Sequence, residues 1–265
     1  MLVLRTFPSR PREVCLFDFD GTLSLIREGW QSIMIDYMVD RLVDTGTLET
    51  PAQIRRLVED YVVRLTGKQT IYQMLRLREE ITARGGKAED ALLYKREYHD
   101  RLWRVIGKRI AALEDGRDAP EDWLVPGSRE ILASLRDRGL RLYLASGTDE
   151  AFVVREAVLL GIDTFFEGRI YGAVDQYRTF SKRIVIERVF RDEDVDPAAF
   201  VAFGDGYVEI EETRKVGGIA VGVASNEDTR RGLNDWKLRR LREAGADIVV
   251  GDFSERDPLL EALSL

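Results

Sequence analysis

Two aspartates, Asp18 and Asp20, stand in the run Asp18-Phe19-Asp20-Gly21-Thr22, directly after the apolar stretch Val14-Cys15-Leu16-Phe17. A short continuous apolar run reads as a strand buried on both faces, and side chains two apart on an extended chain project to the same side. Both carboxylates can therefore face one substrate where the strand leaves the core, one as nucleophile and one as acid/base. Other groups follow similar runs: Ser146-Gly147-Thr148 after Leu140 to Ala145, then Lys182, then Gly204-Asp205-Gly206 after Phe200 to Phe203. Taken singly each has a bland reading, because Asp-Gly and Ser-Gly are common turn formers and a lysine at a helix start is usually solvated. Together, and in this order at strand ends, they fit one pocket.

The elements that must position these groups are legible in the apolar pattern. From residue 126 onward, strand-like runs at Leu140 to Ala145, Phe200 to Phe203, Ile219 to Ala224 and Ile248 to Val250 alternate with amphipathic stretches, and Phe165 to Tyr171 is a candidate further strand. That alternation predicts parallel β/α units. Ser128 to Arg138 predicts a helix stopped by Gly139, and Ser181 is a good N-cap for a helix over Lys182 to Phe190. Between residues 24 and 122 the period turns helical: Trp30, Ile33, Met34, Tyr37, Met38 and Leu42 form one stripe, and Ile54, Leu57, Val58, Tyr61, Val62 and Leu65 another. The expected organisation is an α/β core over 1–23 and 123–265 with a helical cap over 24–122. Ligands of open α/β sheets bind outside the carboxyl ends of the strands, so the insertion should hang over the site as a lid.

With these motifs in this order, the chain resembles the haloacid dehalogenase superfamily over nearly its whole length, in the phosphatase branch with a helical cap inserted after the first motif. The resemblance implies a Rossmann-like parallel-sheet core. It implies that Asp18 attacks phosphorus to form an aspartyl-phosphate, and that Asp20 protonates the leaving oxygen and then activates water. Phosphate monoesters are among the slowest substrates to hydrolyse unaided, and a covalent intermediate splits the step in two. For Asp20 to act as an acid near neutral pH, its surroundings must raise it above the ordinary value of about 3.9. The resemblance also implies Mg²⁺, a hard cation suited to oxygen donors, on Asp18, the backbone carbonyl of Asp20, and Asp205. Glu209, four residues after Asp205, departs from the commoner aspartate; it either reaches the ion through water or stays out of its shell. Ser146 and the Gly147 N–H are the expected phosphate ligands together with Lys182, for which Arg178 and Arg183 are alternatives.

Several features compete for a role. His99, the only histidine, lies among Lys95, Arg96, Glu97 and Asp100 and reads as part of a solvated helix face. Cys15, the only cysteine, reads as a buried structural thiol. Gly67-Lys68-Gln69-Thr70 lacks the upstream glycine and the Ser/Thr after lysine of a Walker loop. It reads first as a solvated connection between two cap helices, and second as polar groups offered to the site below. Arg27 and Trp30 either touch the leaving group or brace the cap.

The expected activity is Mg²⁺-dependent hydrolysis of a small phosphorylated metabolite, with a sugar phosphate as first expectation. Asp20 disfavours dehalogenase and phosphonate-hydrolase chemistry within the resemblance. A sugar phosphomutase is the closest rival, and a catalytically silent phosphometabolite-binding protein the more distant one. With 47 acidic against 40 basic residues and a net charge of -7, no nucleic-acid or anionic-membrane partner is expected. The lone cysteine, and an amino terminus without a long apolar run, place the expected protein in the cytoplasm.

Overall fold

The computed structural model describes residues 1–174 and 179–265. Among the described residues, seven strands form one sheet: β1 (Leu2–Val3), β2 (Val14–Phe17), β3 (Arg141–Asp149), β4 (Ile170–Ala173), β5 (Phe200–Gly204), β6 (Ile219–Val223) and β7 (Ile248–Val250). Their order is β1-β7-β6-β5-β2-β3-β4, parallel throughout except for β1 on β7. The fold is thus α/β with a parallel core. β2 lies between β3 and β5 and is wholly buried, as its unbroken apolar run requires. Phe17 stacks on Phe203 with centroids 4.4 Å apart, while Phe166 and Phe253 meet Phe17 edge-on. This aromatic cluster fixes the end of β2, and the Asp18 N–H carries the ladder one residue further by donating to the Phe203 carbonyl at 2.9 Å.

The strands follow the apolar runs with three differences. β3 does not stop at Ala145 but continues through Ser146, Gly147 and Thr148 to Asp149, with a register shift against β4 between Ala145 and Asp149. Those residues are therefore a strand end rather than a loop after it. The strand expected at Phe165 to Tyr171 begins instead at Ile170, because Asp163–Phe165 forms a 3₁₀ turn and Glu167 and Gly168 take positive φ. β1, exposed and two residues long, carries no apolar pattern that would announce it.

No described strand lies between β2 and β3. That stretch holds α1 (Trp30–Val43), α2 (Pro51–Leu65), α3 (Thr70–Ala83) and α4 (Ala91–Glu114), then a 3₁₀ turn at Pro120–Trp123. Both apolar stripes fall on helices as expected, Met34, Tyr37, Met38 and Leu42 being buried on α1 and Ile54, Val58, Tyr61 and Val62 on α2. Thr50 and Gln53 form a capping box on α2, with Pro51 in the first turn. The outgoing and returning chains pair with each other: the Leu25 N–H donates to the Trp123 carbonyl at 2.8 Å, and the Val125 N–H to the Leu23 carbonyl at 2.9 Å.

The remaining helices are α5 (Ser128–Asp137), α6 (Glu150–Leu159), α7 (Lys182–Glu193), α8 (Tyr207–Lys215), α9 (Asp235–Glu243) and α10 (Arg256–Ala262). Gly139, at φ +82°, follows α5 where a C-terminal cap was expected. Ser181 caps α7 by accepting from the Ile184 N–H at 3.2 Å. No described helix is long and apolar enough to cross a membrane.

Candidate active site

The carboxyl ends of β2, β3 and β5 open into a cavity of about 200 Å³ whose far wall is built by α1, α3, α4 and the turn between α2 and α3. Asp18, Asp20, Ser146, Gly147, Lys182 and Asp205 all line it. These residues, from Asp18 to Asp205, are thus brought together by strand order and by the first turn of α7, which carries Lys182.

Asp18 is 6% exposed, and the Lys182 ammonium sits 2.7 Å from its Oδ1. Burial pushes the Asp18 carboxyl up to about 6; Lys182 pulls it down, while Asp205 and Asp20 push it up. Lys182 makes a second ion pair with Glu209, itself 2% exposed. Glu209 on α8 packs against Gly204 and Gly206, where a Cβ would press on its side chain at 2.8 Å and 2.7 Å. Its carboxylate thus serves as counter-ion to the lysine. Of the alternative cations, Arg183 is turned to the surface and paired with Glu187 at 2.8 Å, and Arg178 lies outside the described residues.

Asp20 is held by hydroxyls from β3: Ser146 Oγ donates to its Oδ2 at 3.2 Å and Thr148 Oγ1 at 2.8 Å. Ser146 Oγ also accepts from the Thr148 N–H at 3.0 Å. Running the strand on to Asp149 is what turns these groups inward. Arg27 Nε lies 3.8 Å from Asp20 Oδ1, while its other contacts go to the fully buried Glu156 of α6 at 2.6 Å and 3.2 Å. Arg27 therefore lines the cavity and ties the first linker to α6 on the sheet side.

Asp205 shares the cavity with a residue the sequence did not disclose. Lys237 of α9 places its buried ammonium 2.8 Å from Asp205 Oδ2 and 2.5 Å from Glu227 Oε1. In the sequence Lys237 opens the basic run Lys237-Leu238-Arg239-Arg240, which reads as a solvated face. Among the described residues no three His, Cys, Asp or Glu side chains converge as a metal cluster. The expected Mg²⁺ set needs only two carboxylates and a carbonyl, and the Asp205 carboxylate is near enough to Asp18 to disfavour its charge. Closely set hard oxygen donors fit a divalent cation.

The helical wall corrects two readings. His99 is 21% exposed rather than solvated: it lines the cavity, lies 4.0 Å from Asp149 and meets the Phe152 ring edge-on. Its position beside Tyr98, in the stripe Tyr94, Tyr98, Leu102 and Ile106, was the signal available. The turn Gly67 to Thr70 is not a solvated connection either. Gln69 is buried and donates to the Phe180 carbonyl at 2.6 Å, while Gly67, Lys68 and Thr70 line the cavity. The Lys68 carbonyl lies so near Gly147 that a Cβ there would stand 2.9 Å from it. Trp30, Tyr98 and Gln73 complete this wall, and among the described residues the buried Gln73 Oε1 has no hydrogen-bond partner. Cys15 is fully buried in β2, and burial pushes its thiol up, as expected of a structural cysteine.

The fold and this arrangement define an α/β protein with its candidate site at the carboxyl edge of a parallel sheet. A sequence model of the haloacid dehalogenase-like hydrolases matches residues 13–217, and the chain belongs to that family. Among its relatives, the phosphoglycolate phosphatase of Synechococcus elongatus is 28% identical over 236 residues, covering 85% of this chain and 92% of that protein. Among solved structures, the β-phosphoglucomutase of Clostridium difficile aligns with a TM-score of 0.62 at 15% identity, covering 95% of this chain and 97% of that one. A haloacid dehalogenase-like protein of unknown function from Agrobacterium tumefaciens aligns at 0.61 and 17%, covering 96% and 100%. At these identities the two structures show the shared fold.

Proposed function

We propose that this hydrolase is a Mg²⁺-dependent phosphatase of a small phosphorylated metabolite, working through an aspartyl-phosphate on Asp18, with residues 24–122 acting as its cap. The observation that carries the reading is the convergence of Asp18, Asp20, Ser146, Gly147, Lys182 and Asp205 on one cavity. An Asp18 oxygen attacks phosphorus as the bond to the leaving oxygen breaks, and Asp20 gives that oxygen a proton. Asp20 then takes a proton from the water that attacks phosphorus, which frees Asp18 and inorganic phosphate. Lys182, 2.7 Å from Asp18, offsets the charge of two anions meeting, and Ser146 and the Gly147 N–H are placed to receive phosphate oxygens. Asp18, the Asp20 carbonyl and Asp205 would hold the divalent ion, which when bound supplies charge neutralisation that the lysines alone do not. The helical wall excludes bulk water and meets the leaving group with Lys68, Thr70, Tyr98 and His99. The single, buried Cys15 suits a reducing compartment such as the cytoplasm.

The test is phosphate release from a panel of sugar phosphates and, because of the Synechococcus relative, phosphoglycolate. Release should require Mg²⁺ and disappear in Asp18→Asn; undiminished turnover in that variant would defeat the mechanism. Interconversion of sugar phosphates without net phosphate release would make the protein a phosphomutase instead.

A further inference from the structure

Helix α9 reaches the cavity from beyond the motifs described above, and its buried Lys237 has an acceptor for each ammonium proton: Asp205 Oδ2 at 2.8 Å, Glu227 Oε1 at 2.5 Å and Ser225 Oγ at 2.9 Å. Ser225 spends its own proton on the Gly21 carbonyl at 2.6 Å. Gly21, at φ +74°, lies so close beneath that a Cβ there would collide with the Asp205 carboxylate and approach the Lys237 ammonium at 3.1 Å. One lysine thus joins the end of β5, the loop after β6 and the turn that follows Asp18 and Asp20.

A buried ammonium is tolerated only when paired, and at this distance, away from bulk water, it cancels much of the field its carboxylate would present to another cation. We infer that Lys237 is a positioning residue: a resident counter-ion that fixes Asp205 and competes for its Oδ2, so that a divalent ion enters a prearranged but partly neutralised site. This rests on the reading that Asp205 and Asp18 hold such an ion. Without Lys237, Asp205 and Glu227 would face the cavity as two uncompensated carboxylates, and the site would hold a cation more tightly.

The full-length, metal-free protein is titrated with Mn²⁺, and the free ion is counted by its electron paramagnetic resonance signal. Lys237→Met should bind Mn²⁺ about tenfold more tightly than the unsubstituted protein, with Lys237→Arg within about threefold of it, as expected for loss or retention of one nearby charge. Thermal melting in chelator should fall for Lys237→Met and recover on adding Mn²⁺. If that variant does not fold, Lys237→Gln, which keeps hydrogen-bonding capacity without the charge, carries the same expectation. Affinity unchanged or weakened in a folded, uncharged variant overturns the inference alone. Mn²⁺ binding by neither protein overturns the metal reading and the inference with it.

Discussion

His99 shows how burial sets the behaviour of a single side chain. Burial pushes its imidazole down to about 4, against the opposing pull of Asp149, while Lys95 and Arg27 reinforce the shift. Below the ordinary value of about 6.5 the unfolded chain takes up a proton that the folded chain refuses, so unfolding is favoured as pH drops. His99 therefore costs no stability above about pH 6.5, and a penalty grows as pH falls from there towards 4. Urea denaturation at pH 7 and pH 5 should show a smaller loss for His99→Gln than for the unsubstituted protein; equal losses would refute the assignment. The groups legible in the sequence, Asp18, Asp20, Ser146, Lys182 and Asp205, were those announced by an apolar run or a helix cap just before them. Lys237 and Gln73 had no such herald. Their partners lie on other elements, and a basic run or a lone amide looks the same whether it faces water or a cavity.

Among elements, β3 and the turn at Gly67 to Thr70 depend on each other. The apolar pattern of β3 ends at Ala145 because the strand there leaves the sheet interior for the cavity, not because it ends; burial governs residue type, while hydrogen bonding governs extent. Gly147 lets the Lys68 carbonyl settle on the strand. Gly147→Ala should force that main-chain contact apart, costing about 1–3 kcal/mol as overpacking does, and raise KM through displacement of Lys68 and Thr70. Thermal melting and steady-state kinetics check this, and a variant unchanged in both would show that the turn has room to move. α2 and α7 were readable from Thr50, Pro51 and Ser181, whose capping chemistry is local. β1 was not, since two exposed residues are placed by their partner Ile248–Val249 alone.

For the whole molecule, the helical wall is bonded to the sheet side at separate points. Tyr207 Oη and Arg240 donate to the Arg64 and Val63 carbonyls at 2.5 Å and 2.7 Å, and Lys95 reaches Asp149 at 2.5 Å. The first two reach carbonyls in the last turn of α2, of which that of Val63 also accepts from the Thr66 N–H of the helix cap at 3.3 Å. Replacing both donors, as in Tyr207→Phe with Arg240→Met, should speed amide hydrogen exchange over residues 63–70 roughly tenfold, since exchange follows the free energy of local opening. Exchange no faster than in the parent would show that other contacts hold the turn. The alternation of helical and strand-like periods made both parts of the molecule legible in the sequence. The bonds between them were not, because they join side chains to main-chain oxygens that no pattern records.

The lacing of Leu23 and Leu25 to Val125 and Trp123 makes the two chain crossings one ribbon. Parting the two crossings would break both hydrogen bonds. Ser24 within that ribbon bridges both Asp20 and Leu124, so Asp20 is anchored to the very crossing by which the four helices leave and rejoin the sheet.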